Sequence, residues 1–66
     1  MLYKRANSYY ECSETITRCA IQVNGEIIWS LPGEYICYPL DDNGKQIEKP
    51  FVAQPGYFKL FYVKVD

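Results

Sequence analysis

The residues capable of chemistry in this chain are three cysteines, Cys12, Cys19 and Cys37, and eight carboxylates, with no histidine among 66 residues. A Ser or Cys nucleophile is ordinarily activated by an adjacent imidazole, so Ser-His-Asp and Cys-His arrangements are out of reach. Arg18 beside Cys19 could stabilise a thiolate, but free Cys is among the most buried residue types, and all three cysteines are read as structural. A structural zinc site takes four Cys or His ligands. Three Cys and no His would leave one position to a carboxylate, and neither a metal nor a cofactor is expected. Two carboxylates could act as the acid and nucleophile of a glycosidase, yet so short a chain has little material to wall a substrate cleft. Asp41-Asp42-Asn43-Gly44 begins as a calcium loop does but lacks the alternating ligands and distal Glu, which leaves a hydrated turn. With no Gly-rich phosphate loop either, no catalytic residue is assigned, and the protein is expected not to be an enzyme.

Sixty-six residues form one domain at most, spanning 1–66, and a core this small rarely contributes more than about 3–5 kcal/mol net. Such a chain ordinarily draws on disulfides, a metal or a partner. Three cysteines without a Cys-x-x-Cys pair do not make a complete disulfide framework. Met1-Leu2-Tyr3-Lys4-Arg5 runs into polar Ala6-Asn7-Ser8, so no signal peptide is expected, and a reducing cytoplasm fits best. No apolar run reaches the roughly 20 residues that span a bilayer, and no membrane partner is expected. The net charge is −1, with seven basic residues scattered along the chain. Nucleic-acid binders carry a basic face because phosphate neutralisation supplies most of their affinity, so nucleic acid is disfavoured as a partner. Association with another protein chain remains.

The elements that would position these residues are mainly β. Two β-branched runs, residues 15–23 and 26–31, flank Asn24-Gly25 and read as a hairpin closed by a type I′ turn. Pro32-Gly33 punctuates the chain. Glu34 to Tyr38 reads as a strand ending before Pro39, and residues 57–65 as a last strand after Pro55-Gly56. The expected fold is a small antiparallel sheet or partly open barrel of about five strands. Residues 8–23 also admit helix: Ser8-x-x-Glu11 matches a capping box, and Tyr9, Cys12, Ile16, Cys19 and Val23 recur at helical spacing. The β-branched Thr15-Ile16-Thr17 favours strand for 15–23, and a short helical turn at 8–13 is compatible with either reading.

Facing supplies the positive evidence for binding. In the Asn24-Gly25 hairpin Val23 opposes Glu26, Ile21 opposes Ile28 and Ala20 opposes Trp29, and facing residues share one side of the sheet. One side carries Cys19, Ile21, Val23 and Ile28; the other carries Ala20, Ile27, Trp29 and Leu31. Neither side is polar, whereas a sheet with one solvated face alternates cleanly. Aromatic residues are 17% of the chain and seven are Tyr, and Tyr and Trp are enriched at interfaces. The expected interface comprises Trp29, Ile27, Leu31, Tyr35 and Tyr38, with a second copy of the chain as the first partner.

From Val23 onward, Asn24-Gly25, Pro32-Gly33-Glu34-Tyr35-Ile36, Asn43-Gly44, Lys49-Pro50, Phe58 and Tyr62 resemble the pattern of a group of small bacterial and phage-borne proteins named for a Pro-Gly-Asp-Tyr-Gly-type motif. Glu34 stands where that motif has Asp, and Ile36 where it has its second Gly. The resemblance implies a phage or prophage origin, hence a host cytoplasm, and no assigned reaction. The function expected is a non-catalytic, homodimeric protein-binding module, a phage-encoded inhibitor of a host protein such as a defence enzyme. The alternative is a small β-barrel that binds single-stranded nucleic acid by stacking bases on Tyr and Phe.

Overall fold

A computed structural model describes residues 1–65. The chain runs β1 (Leu2–Arg5), β2 (Ser8–Glu14), β3 (Cys19–Val23), β4 (Glu26–Ser30), β5 (Tyr35–Leu40), β6 (Phe51–Ala53), α1 (Pro55–Phe61) and β7 (Val63–Lys64). Five strands form an antiparallel sheet in the order β6-β5-β2-β1-β7, and β3 and β4 make a separate two-stranded hairpin. The mainly β expectation therefore holds, and the sheet stays open at both edges instead of closing into a barrel. No helix among the described residues is long and apolar enough to cross a membrane.

Three local expectations are corrected. Residues 8–13 are not a helical turn but most of β2, because β1 and β5 flank that segment and take up its backbone groups. Residues 15–18 form the loop into β3 rather than a strand. Residues 57–65 are not a strand: α1 occupies Pro55–Phe61, with Pro55 in the first turn, where its missing N–H costs nothing. Tyr57 with Phe61 and Phe58 with Tyr62 are then pairs four apart, which a helix stacks on one side. The ring centroids of the two pairs are 4.7 Å apart in each case.

Strand β5 continues through Pro39 to Leu40, beyond its expected end. Cys12 directs both backbone groups toward β1, its N–H donating to Met1 O at 2.8 Å and its C=O accepting from the Met1 amino group at 2.9 Å. Toward β5, Cys12 therefore sits at a non-hydrogen-bonded position, and so does Tyr10 two residues away, which opposes Pro39. The proline nitrogen consequently points away from β2, past the end of β6, and removes no ladder bond. The Pro39 carbonyl on the same side accepts from Ile47 N–H at 3.1 Å.

The sheet buries one face under α1. Cys12, Cys37, Ala53, Phe58 and Tyr62 form the buried cluster, with Tyr3, Tyr10, Tyr35 and Phe51 packed around it. Phe58 is its centre: it stacks on Tyr35 at 3.7 Å and on Tyr62 at 4.7 Å and meets Tyr3 edge-on at 4.8 Å. Aromatic pairs of this kind contribute about 0.5–1.5 kcal/mol each beyond the area they bury. A seven-residue helix is too short to persist alone, so these contacts are what hold α1 in place.

Candidate interaction surface

The β3–β4 hairpin adopts the register expected from its turn, with Val23 opposite Glu26, Ile21 opposite Ile28 and Ala20 opposite Trp29. Asn24 and Gly25 take φ values of 51° and 83°, the pair of positive angles a type I′ turn requires. Both faces contain apolar residues, but the fold treats them differently. Cys19, Ile21, Val23, Ile28 and Ser30 are buried or half-buried, while Ala20, Gln22, Ile27 and Trp29 are exposed. Val23 and Ile28 line a groove with Lys49, Pro50 and Phe51, so the inner face lies against the chain leading into β6.

On the outer face Ile27, Trp29 and Leu31 retain 64%, 52% and 49% of their accessible surface. The Arg18 guanidinium sits 4.2 Å from the centre of the Trp29 ring, a cation–π contact between the loop before β3 and β4. Ile16, on that loop, is also exposed.

The hairpin is rooted in the sheet by buried polar groups. The Thr15 and Ser30 hydroxyls share a 2.5 Å hydrogen bond, and both residues are buried. Thr15 N–H donates to Glu34 O at 2.8 Å, and Gly33 N–H donates to Thr15 O at 2.9 Å. The Glu34 carboxylate accepts from Leu31 N–H at 2.8 Å and from the Gln54 side-chain amide at 2.9 Å. Glu34 thus ties the end of the hairpin to the residue that precedes α1, a role its position in the Pro-Gly-Glu-Tyr stretch did not disclose.

The five residues expected at the interface part company. Ile27, Trp29 and Leu31 share the outer hairpin region. Tyr35 belongs to the α1-covered face, stacked on Phe58, and burial, with Glu14 nearby, pushes its phenol above the ordinary value. Tyr38 pairs with Glu11, one register step from the Cys12–Cys37 pair, and so lies on the opposite sheet face, half-buried.

A second exposed apolar patch escaped the sequence reading. Tyr57, Leu60 and Phe61 of α1 and the following Val63 and Val65 are all exposed. The Arg5 guanidinium lies 5.2 Å from the Tyr57 ring centre and 5.6 Å from that of Phe61. Residues 57–65 taken as a strand split these side chains between two faces; Pro55 in a first turn, followed by aromatic pairs four apart, is the signal that would have joined them.

Among the described residues no three of His, Cys, Asp and Glu come together as a metal site. Asp41 closes its own turn, its carboxylate accepting from Asn43 and Lys45 N–H at 2.9 Å each. No family model, curated protein or solved structure matches the chain.

Proposed function

We propose that the protein is a non-catalytic protein-binding module that associates through the outer face of the β3–β4 hairpin, first with a second copy of itself, and that it acts as a phage-encoded inhibitor of a host defence protein. The observation that carries the binding reading is Trp29, exposed between Ile27 and Leu31 on a hairpin whose root is fixed by Thr15, Ser30 and Glu34. Tryptophan dominates interface energetics, and a preorganised support reduces the entropy lost on binding. The surface balance supports it as well. The accessible surface of 4716 Å² exceeds the roughly 4,300 Å² typical of a folded monomer of this mass. The inhibitory role rests on the motif resemblance and on the absence of catalytic side-chain combinations.

A tagged copy and its Trp29→Ala variant, each passed through bacterial lysate and eluted for mass spectrometry, test the reading. One host protein retained by the native chain and lost by the variant is the expected result. Equal recovery by both places the binding surface elsewhere, and salt-dependent retention on single-stranded DNA by the native chain alone favours the base-stacking alternative.

A further inference from the structure

Cys12 and Cys37 face each other across β2 and β5, and they are 1% and 0% exposed. The backbone groups of Cys12 are both turned toward Met1, which places the Cys12–Cys37 pair at a non-hydrogen-bonded site. That is the closer of the two antiparallel spacings, with Cα atoms about 4.5 Å apart. Disulfides bridge Cα separations of about 4.4–6.8 Å, so the register places the two residues at a spacing that a disulfide can span. Cys19 lies on the hairpin opposite Ser30 and is not part of the pair.

We propose that Cys12 and Cys37 form a reversible dithiol–disulfide couple, oxidised by hydrogen peroxide, that locks β2 to β5. The Cys12 thiolate attacks one peroxide oxygen; the O–O bond breaks, hydroxide leaves and is protonated to water, and Cys12 becomes a sulfenic acid. The Cys37 sulfur then attacks the Cys12 sulfur; the S–O bond breaks, and hydroxide leaves with the Cys37 proton as a second water. Two thiols have lost two electrons and two protons, and one peroxide has become two waters. The order follows from the hydrogen bonding of the pair. The Cys37 thiol donates to Tyr35 O at 3.9 Å, a bond that favours its protonated form. Cys12 ionises first, and Cys37 resolves.

Access comes through α1. Ala53, Phe58 and Tyr62 share the buried cluster with both cysteines, and the helix that carries Phe58 is a single short element held by side-chain contacts. Local opening of such an element is the lowest-energy route to the buried thiols, so oxidation is slower than that of an exposed thiol. The bridge would close the base of the excursion, residues 13–36, that contains the β3–β4 hairpin. None of this depends on what the hairpin binds.

The Cys19→Ser protein, which keeps both core thiols native, is incubated with hydrogen peroxide and followed by intact mass, by thiol alkylation after unfolding and by peptide mapping. The expected product is a monomer lighter by about 2 Da, with no alkylatable thiol and a Cys12–Cys37 linked peptide. Dithiothreitol should restore it. Its melting temperature should lie about 10 °C or more above that of the reduced form, because a cross-link closing a loop of roughly 25 residues constrains the unfolded chain. Two thiols still alkylatable after exposure that fully oxidises free cysteine would overturn the proposal, as would conversion to sulfinic acids or to a disulfide between molecules.

Discussion

Phe58 is 2% exposed and stacked between Tyr35 and Tyr62, so Phe58→Ala removes the ring on which the helix docks. The expected loss is about 3–5 kcal/mol, enough to unfold so small a domain, as a denaturant titration would register. Trp29→Ala should behave oppositely: half its surface is already in water, and beyond the Arg18 contact of about 0.5–1 kcal/mol little fold stability rests on it. Circular dichroism should be unchanged while association is lost. Tyr35→Ala, placed by sequence beside Trp29 at the interface, should instead destabilise the fold, because its ring is Phe58's stacking partner. Tyr62 carries a different signature, since its buried hydroxyl has no hydrogen-bond partner among the described residues. Burial pushes its phenol above the ordinary value against the opposing pull of Arg5, and the Tyr35 phenol is raised too. A raised folded pKa means that the folded state holds its proton longer than the unfolded chain does. That stabilisation is complete below the ordinary phenol value of 10.0 and is lost as pH rises beyond it. The melting temperature should therefore fall from about pH 10 upward. Tyr62→Phe should flatten that fall and, by removing an unsatisfied hydroxyl, gain about 1 kcal/mol at neutral pH.

At the scale of elements, the β1–β2 hairpin stores a correctable strain. Its turn is Ala6-Asn7, and Ala6 is held at φ 54°, where a side chain costs about 1–2 kcal/mol relative to the ordinary region. Ala6→Gly should stabilise the protein by about 0.5–1 kcal/mol after the added freedom of the unfolded chain is deducted, measurable as a higher denaturant midpoint at unchanged slope. The same residue explains what the sequence concealed. Asn24-Gly25 announced the β3–β4 hairpin and its register because its residue types match its dihedrals. Ala6-Asn7 has no glycine to announce a turn, so β1 and most of β2 went unread. Helix α1 was hidden differently: Tyr57-Phe58-Lys59-Leu60-Phe61 is rich in strand-favouring aromatics, and only packing against Tyr3 and Tyr35 makes helix the better outcome for it. The Ile27-Trp29-Leu31 surface was legible because it depends on one hairpin alone. Alternation along one strand already puts Tyr35 and Tyr38 on opposite sides of the sheet; that the Tyr35 side is the one covered was not legible, because the cover is α1, about 20 residues further along the chain and itself read as a strand.

For the whole molecule, the balance between buried and exposed apolar residues bears on assembly. Cys12, Val23, Cys37, Ala53, Phe58 and Tyr62 are buried with Pro39, while eleven large apolar residues are exposed among the described residues, Trp29 and Leu60 among them. Apolar atoms cover more than half of any protein surface, so scattered exposure alone decides nothing. Here, however, eight of the eleven lie in two regions, Ile27, Trp29 and Leu31 on the outer hairpin side and Tyr57, Leu60, Phe61, Val63 and Val65 along the α1–β7 segment, and an assembled dimer would remove at least one of these patches from water. Size-exclusion chromatography with light scattering, on the native protein and on Trp29→Ala at the same micromolar concentrations, tests this most directly. The native chain should elute with twice its 7.7 kDa mass and the folded variant with the monomer mass; a native monomer throughout that range, or a variant that dimerises as well as the native chain, would contradict association through the Trp29 face.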